Sequence, residues 1–271
     1  MALAVVTAPV LCYHRIGGPL ELGMTRVGRS TFARQMTALA RAGWRTMTLE
    51  EFALGPEPQA PGPFLLTFDD GYASLADHAY PVLADLGFTA TTFLITDFVG
   101  KTNTWDVRYT WKRLQHLGWN EVETWQARGF SFASHGATHR RLTWLPDRAV
   151  EGELTNSRRL LIQRLGPAAG RAISYPFGAV DTRVVRHARA AGYDLGFGGV
   201  KGAADPLRLA RVPVYSWDVG TLPIGLRSDW IGRAGRVVAH VANRCAVGTS
   251  VLLGLGPIQK TEPPPESAAD A

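Results

Sequence analysis

The chain has 271 residues, of which 46% are hydrophobic and 10% aromatic, enough to fill the core of one large domain. Its formal net charge is +6, with arginines spread along predicted helices rather than gathered in a basic run. This pattern indicates a solvated basic surface, and no nucleic-acid partner is expected. The two cysteines, Cys12 and Cys245, form no Cys-x-x-Cys pair and predict buried free thiols rather than a disulfide scaffold.

No apolar run approaches the roughly eighteen residues that a membrane-spanning helix needs. The apolar stretch at residues 1–10 has no basic residues ahead of it, so it does not predict a signal peptide. A cytoplasmic location is therefore expected, with export left open. We expect one folded domain over residues 1–256, followed by a disordered tail, rich in proline and acidic residues, over 257–271.

Strand-like and helix-like segments alternate along the chain, which is typical of parallel βα units in an α/β protein. The predicted strands cover residues 9–13, 46–47, 64–68, 90–95, 130–134, 172–175, 194–197, 211–215 and 250–255. The predicted helices cover 31–42, a short segment opened by a Thr48/Glu51 capping box, 73–86, one or two segments within 109–128, 147–165, a segment capped by Asp181 that runs to 191, and 230–243. A polar loop over 97–108 is long enough to form a lid or a substrate-site wall.

Polar side chains follow five of the predicted strands at their carboxyl ends. They are His14, the pair Asp69 and Asp70, the pair Thr96 and Asp97, the pair His135 and His139, and the segment Tyr175-Pro176-Phe177-Gly178. In a parallel barrel the carboxyl ends of the strands meet on one face, where active sites lie. The sequence therefore predicts that these groups form one site.

Asp69 and Asp70 stand side by side after an apolar strand, and like charges this close repel unless a cation lies beside them. His135 and His139 are four residues apart, so on a helical turn both imidazoles could bind one metal ion. One aspartate and two histidines leave coordination positions open, which favours a catalytic site over a structural one. The structural alternatives are that the aspartates cap the following helix and that the histidines lie on a helix surface.

These residues together resemble the polysaccharide deacetylase family, the NodB-homology domains of carbohydrate esterase family 4. Thr67-Phe68-Asp69-Asp70-Gly71 matches the first motif of the family, Ser134-His135-Gly136-Ala137-Thr138-His139 matches its Ser-His-x-x-x-His signature, and Ser174-Tyr175-Pro176-Phe177-Gly178 is similar to its third motif. The resemblance covers residues 9–215. It implies a distorted (β/α) barrel of about seven parallel strands, a divalent metal ion, and hydrolysis of N-acetyl groups on hexosamines such as N-acetylglucosamine.

Carried onto this chain, the resemblance implies that Asp70, His135 and His139 bind one divalent ion. Zinc is the expected ion, with cobalt or nickel as alternatives. The resemblance also implies that Asp69 is the general base. The usual third motif has an arginine that helps to orient this aspartate, and here Ser174 takes its place.

The usual late Leu-x-x-His motif, which supplies the catalytic acid, is also missing. A branch of the family that acts on poly-N-acetylglucosamine has its motifs in permuted order and uses an early Tyr-His as the acid. Tyr13-His14 matches that element, and Arg211-Val212-Pro213-Val214 resembles a late element of the same branch. The chain is therefore placed nearest the permuted branch, with His14 as the catalytic acid.

The remaining interpretations concern the surroundings of the site. The predicted substrate-binding residues are Tyr72, Trp105, Tyr175, Pro176 and Phe177. Alternatives stay open for His14, which could be a core histidine, and for Trp105, which could be structural. Asp218 either orients His14 or closes a turn. Four other histidines lie in predicted helices and are interpreted as structural or solvent-facing: His78, His116, His187 and His240.

The leading functional expectation is a metal-dependent N-deacetylase that acts on an N-acetylglucosamine-type polysaccharide or oligosaccharide. A small-molecule amide deacetylase, for example one acting on acetylated polyamines, would use the same machinery, and the missing signal peptide favours it. A catalytically silent glycan-binding module is a third reading. The serine at position 174 and the missing late histidine allow that reading, whereas the presence of Asp69 argues against it.

Overall fold

The computed structural model of the protein describes residues 8–18, 25–55, 61–104, 114–200, 202–223 and 226. Ten strands are formed in these ranges: β1 Val10–Tyr13, β2 Arg15–Ile16, β3 Arg26–Val27, β4 Arg45–Thr46, β5 Pro63–Phe68, β6 Thr91–Leu94, β7 Ser131–Ser134, β8 Ala172–Ser174, β9 Leu195–Phe197 and β10 Val212–Pro213. Seven α-helices accompany them: α1 Arg29–Arg41, α2 Leu49–Ala53, α3 Ser74–His78, α4 Tyr80–Asp85, α5 Trp119–Gln126, α6 Asp147–Leu165 and α7 Thr182–Ala190.

Seven strands form one parallel sheet in the order β10-β1-β5-β6-β7-β8-β9, and β4 pairs in addition with β5. The two edge strands approach each other, because Phe197 at the end of β9 bridges to Leu209 just before β10. The sheet is therefore curled into a distorted (β/α) barrel, which confirms the predicted fold. Strands β2 and β3 form a separate two-stranded sheet.

The strands alternate between the barrel interior and the helix layer. On β5, Phe64, Leu66 and Phe68 pack in the large cluster that includes helix residues such as Phe32 and Leu83, whereas Leu65 packs in a second cluster with side chains from five other strands. Because successive side chains of a strand point to opposite faces, the positions that share the parity of Leu65 face the interior. This alternation determines which polar residues can reach the site.

Several local predictions are confirmed. Helix α6 ends at Leu165, and Gly166 follows it with φ 88°, a backbone conformation that glycine adopts without steric cost. Asp181 caps α7 by accepting a hydrogen bond from the Val184 N–H at 2.8 Å. The Thr48/Glu51 capping box opens α2. Cys12 is a buried free thiol, as expected.

Two helix predictions are wrong in part. The segment 73–86 forms two helices rather than one, because Pro81 lies at the start of α4 and has no N–H to donate to the preceding turn. His116 does not lie in a helix. It is buried and forms an isolated antiparallel bridge with Tyr72.

Other predictions fall outside the described residues. They are the helix over 230–243, the strand over 250–255, the tail over 257–271, Trp105, His240 and Cys245. Within the ranges that the structure describes, no helix combines the length and the apolar character that crossing a bilayer requires.

Candidate active site

Strand parity brings the predicted polar residues to one place. On β5, Leu65, Thr67 and Asp69 share a parity, so the carboxylate of Asp69 points into the barrel just beyond the last strand residue. The same alternation turns His135 inward after β7, because Ala133 faces the interior while Ser134 bonds to Ser157 of α6. The carboxyl ends of these parallel strands therefore form one buried polar site, as predicted.

Three side chains converge at its centre. His135 Nε2 lies 3.4 Å from Asp70 Oδ1, and His139 Nε2 lies 3.5 Å from the same oxygen. One ligand atom from each of Asp70, His135 and His139 lies within 4.8 Å of the other two, and all three residues are buried. Imidazole nitrogen and carboxylate oxygen are ligands that Zn²⁺ accepts, so the cluster could hold a divalent metal ion.

The two histidines converge by a different route from the one expected. The segment between them is not a helical turn, because Gly136 has φ 79° and His139 has φ 62°. Asp70 also has a positive φ of 69°. Left-handed backbone is uncommon for non-glycine residues and is often found at functional sites, where the surrounding structure enforces it. In the described ranges Asp70, His139 and Phe177 are the only such non-glycine residues.

The hydrogen bond of His135 determines which nitrogen is available. Its Nδ1 lies 2.7 Å from the Ser174 carbonyl oxygen, a hydrogen-bond acceptor, so Nδ1 carries the proton and donates. The Nε2 lone pair of the neutral ring then points toward Asp70. An imidazole held in this way by a backbone carbonyl is the usual arrangement of a metal-binding histidine.

The site attracts positive charge. Burial opposes protonation of His135, but the nearby Asp69 and Asp70 carboxylates outweigh it and raise the pKa of this ring above its usual value. For His139, burial dominates and lowers the pKa to about 3, so this imidazole is neutral and its ring can act as a ligand. Burial raises the pKa of Asp70, but the interactions of this carboxylate with His135 and then with His139 lower it overall.

Asp69 has a separate cationic partner, which the sequence did not identify. Arg211 donates from its two terminal nitrogens to the two carboxylate oxygens, at 2.7 Å each. Ser174 Oγ donates to Oδ2 at 3.1 Å and accepts from Arg211 at 2.8 Å. Burial alone would raise the pKa of Asp69, but the Arg211 guanidinium and then His135 outweigh it and hold this pKa well below its usual range. Asp69 is therefore ionised.

This contact explains why a serine fits at position 174. Its short side chain leaves room for the Arg211 guanidinium beside Asp69, so the positive group comes from the end of the barrel that closes on β1 rather than from β8. The sequence offered two signals, the position of Arg211 at the start of a predicted strand and the resemblance of its segment to a late element of the permuted branch. The contact of Arg211 with Asp69, 142 residues away, cannot be inferred from local pattern.

A second group of metal-ligand types lies on the other side of Asp69. One ligand atom from each of Cys12, His14 and Asp69 lies within 4.8 Å of the other two. Burial raises the pKa of the Cys12 thiol, which donates to Asp69 Oδ2 at 3.6 Å. Because both oxygens of Asp69 are already bound by Arg211, a cation here would meet a neutralised carboxylate and a protonated thiol. The Asp70 cluster is therefore the better metal site.

His14 lies where a proton donor for the site could stand. It follows β1, is half-buried, and its charge would lower the pKa values of both Asp69 and Asp70. Its Nδ1 is buried, and no described residue forms a hydrogen bond with it. Asp218 is also buried, and its carbonyl accepts from Gln35, which in turn accepts from the hydroxyl of Tyr13. Asp218 is thus linked to the residue next to His14.

Four of the five predicted substrate residues lie in the described ranges, and their contacts differ. Tyr175 is fully buried, and its hydroxyl donates to the Leu207 carbonyl at 3.0 Å. A contact of Tyr175 with substrate stays a prediction. Phe177 packs on the His139 ring, with centroids 4.7 Å apart, and Pro176 is buried beside it. Tyr72 stacks on His116 at 5.0 Å, and His116 Nδ1 lies 2.8 Å from the Asp70 carbonyl oxygen.

Replacement of Arg211 by lysine is expected to lower kcat by about 10²-fold, since loss of ångström-scale positioning has effects of this size. A lysine ammonium keeps the charge but cannot bond both oxygens of Asp69 in the planar bidentate geometry of a guanidinium. Steady-state assays of Arg211→Lys would check this, with Arg186→Lys, an exposed arginine of α7, as the matched control. Wild-type kcat in Arg211→Lys would contradict the positioning role of the bidentate pair.

The fold and the site together define a class of protein: a curled parallel α/β barrel with a buried Asp–His–His cluster beside an arginine-held aspartate. The polysaccharide deacetylase model matches residues 57–196, and the chain belongs to this family. YxkH of Bacillus subtilis is 30% identical over 199 residues, which cover 72% of this chain and 66% of that relative. The chain therefore spans 66% of the length of YxkH.

Two further comparisons agree with this family. The poly-beta-1,6-N-acetyl-D-glucosamine N-deacetylase of Staphylococcus epidermidis is 25% identical over 233 residues, which cover 77% of this chain and 79% of that protein. The Streptococcus pyogenes deacetylase PplD, solved in complex with acetate, superposes with a TM-score of 0.69 at 24% identity and covers 79% of this chain and 95% of its own. The latter likeness supports the fold. The family resemblance inferred from the motifs is confirmed.

Proposed function

We propose that this protein is a metal-dependent hydrolase that removes N-acetyl groups from an N-acetylglucosamine-type polysaccharide or oligosaccharide. The observation that carries the proposal is the division of labour between two adjacent carboxylates. Asp70 faces two imidazoles, whereas Asp69 has Arg211 as its own cation. Asp70, His135 and His139 would hold the ion, and Asp69 would remain available to handle a proton. The activity named for the Staphylococcus epidermidis relative supports the glycan class.

The residues present fit a divalent ion. Asp70 Oδ1 is buried, and no residue in the described ranges makes a hydrogen bond of good geometry to it. A buried carboxylate oxygen without a donor is unfavourable unless a cation compensates it. The two imidazoles beside it supply the nitrogen ligands that zinc prefers. We therefore propose zinc as the ion, with cobalt or nickel able to replace it.

The proton transfer from water follows from the state of Asp69. A bound divalent ion would polarise the acetyl carbonyl oxygen and lower the pKa of the attacking water. Asp69 is ionised and oriented by Arg211, so it can accept the proton that the water releases. The arginine also makes this carboxylate a weak base, which is sufficient only for an acidified water. The proposed reaction therefore needs a metal ion that lowers the pKa of the water, because Asp69 is too weak a base to activate an ordinary water molecule.

Two groups would complete the reaction. His14, as imidazolium, would protonate the departing nitrogen when the C–N bond breaks, so that water and the amide become acetate and a free amine. In the segment 175–177, the Tyr175 N–H already donates to the Phe197 carbonyl, and Pro176 has no N–H. The Phe177 N–H is therefore the backbone donor that we propose for the oxyanion.

Arg211 also weakens the case for a catalytically silent module. That reading depended on the serine that replaces the expected arginine at position 174. In the structure Arg211 supplies a guanidinium to Asp69, and Ser174 adds a second donor. The machinery around the proposed base is therefore present, although its cation comes from another strand.

Acetate release is expected from oligomers of N-acetylglucosamine, with a kcat/KM at least about tenfold higher than for N-acetylated polyamines. The physical reason is that an extended glycan gains binding energy from sugars flanking the reacting one, and that energy is used in the transition state. The measurement is acetate release from β-1,6-linked and β-1,4-linked oligomers and from N-acetylspermidine, under identical metal loading.

The outcomes separate the three functions. Preference for the polyamine would overturn the glycan assignment and leave the amide hydrolase. Binding of oligomers by the zinc-loaded wild type without any acetate release, and with equal affinity in Asp69→Asn, would identify a binding module.

A further inference from the structure

The segment that joins the two histidine ligands is held by a buried carboxylate outside the ligand set. Glu153 lies on α6 and is 6% exposed. Its Oε2 accepts the backbone N–H groups of Ala137 and Thr138, at 2.9 Å each, and its Oε1 accepts the hydroxyl of Thr138. Three donors from residues between His135 and His139 therefore meet one side chain.

The same segment is held from its other side as well. The Gly136 carbonyl accepts from the Thr96 N–H at 3.2 Å, and the Ala137 carbonyl accepts from the Asp97 N–H at 3.0 Å. The turn after β6 thus binds the carbonyl groups, while Glu153 binds the N–H groups. These hydrogen bonds hold the backbone of the segment from two sides.

That conformation is one the chain would not adopt by local preference. His139 has φ 62°, which costs a non-glycine residue of the order of 1 kcal/mol or more and persists only when the surroundings enforce it. Gly136 also has a positive φ, and a Cβ built on it would lie 3.3 Å from Glu153 Oε2, so carboxylate and backbone are in close contact. Removal of Glu153 leaves the strain of His139 without its main support on the α6 side.

We propose that Glu153 is a positioning residue that sets the metal affinity of the site by holding the 136–138 segment, so that His139 faces Asp70 together with His135. The inference rests on the proposed metal site, although not on the identity of the substrate. Loss of groups that orient metal ligands typically lowers metal affinity by about 10–100-fold.

The test is the zinc dissociation constant, measured by competition with a chromogenic chelator on the folded full-length protein. Glu153→Ala is expected to raise this constant about 10–100-fold. Glu153→Gln is expected to stay within about threefold of wild type, because one amide oxygen can still accept both N–H groups and the NH₂ can donate to the Thr138 hydroxyl. Recovery by the isosteric variant is the signature of hydrogen-bonded positioning.

Two control variants separate positioning from general destabilisation. Leu161→Ala removes a fully buried side chain two turns further along α6, and it should lower the urea midpoint while the zinc dissociation constant stays at its wild-type value. Glu151→Ala removes an exposed glutamate of the same helix and should change neither quantity. If Glu153→Ala unfolds, the zinc dissociation constants of Glu153→Gln and Glu153→Met are compared instead. Methionine fills the space but has no side-chain oxygen to accept the N–H groups of Ala137 and Thr138.

The possible results are distinguishable. Wild-type zinc affinity in folded Glu153→Ala, or in Glu153→Met, would overturn the positioning role and leave the proposed function intact. Equal losses of zinc affinity in Leu161→Ala and Glu153→Ala would also overturn it, since the effect would then follow from stability alone. A wild-type protein that binds zinc but hydrolyses no acetylated glycan would overturn the proposed function, while the Glu153 inference would stand on the affinities.

Discussion

Dialysis against a strong chelator is expected to abolish acetate release completely, and stoichiometric zinc is expected to restore it. The reason lies in the charges of the site. Arg211 makes Asp69 a weak base, so an ordinary water molecule with its high pKa is not activated by this carboxylate alone. Asp70 gives a second reason. Its buried Oδ1 faces the two imidazoles, and the described residues donate no good hydrogen bond to it, so a cation is needed to compensate its charge.

The measurement combines metal analysis with the acetate assay before and after reconstitution. Circular dichroism of the chelated protein is the control, because the barrel core does not depend on the ion and should remain folded. Cobalt and nickel should restore activity to different extents, since they accept the same nitrogen and oxygen ligands with different geometric preferences. Full turnover in a protein shown to be free of metal would refute the mechanism.

The position of the site was predictable because it depends on strand periodicity. A parallel α/β chain places its strand ends on one face, and the polar residues that follow these strands must meet there. Four of these residues lie just after the ends of β5 and β7, and the structure brings them together: Asp69, Asp70, His135 and His139. This part of the prediction needed no knowledge of loop conformation.

The detailed backbone at the site was not predictable in the same way. The helical turn expected for His135 and His139 is wrong, because the segment contains left-handed residues that local propensity disfavours. Such a conformation is maintained by contacts from other elements, here Glu153 of α6 and the turn after β6. A sequence pattern that describes one segment at a time does not contain this information.

The identity of the cation beside Asp69 was missed for a related reason. The motif comparison matched Arg211-Val212-Pro213-Val214 to a late element of the permuted branch, but it did not connect Arg211 with the arginine that Ser174 replaces. The compensating Arg211 comes from just before β10, which neighbours β1 only because the sheet curls.

Asp69→Asn is expected to lower kcat by about 10²–10⁴-fold, the scale of a lost general base. An amide cannot accept the proton from water, yet it has nearly the same shape as the carboxylate. The proposed ligands Asp70, His135 and His139 are untouched, so the variant should bind one zinc ion as wild type does. Loss of turnover with retained metal would separate proton transfer from metal binding.

The same variant should be less stable, for a reason unrelated to catalysis. Arg211 is 5% exposed and would lose the carboxylate that now accepts two of its hydrogen bonds. Removal of one partner from a buried ion pair leaves an uncompensated charge and costs about 3–5 kcal/mol. Urea unfolding of the metal-loaded wild type and variant would measure this difference.

A double variant separates the two effects. In Asp69→Asn/Arg211→Met both charges are removed, and the methionine side chain can occupy the space where the guanidinium now lies near Phe93 and Phe197. The free energy of unfolding should recover most of the loss of about 3–5 kcal/mol, because an apolar replacement of a buried ion pair is often neutral or stabilising. The rate should not recover, because no base has been restored. If stability and kcat recover together, the slow rate of Asp69→Asn is a folding defect, and Asp69 is not the base.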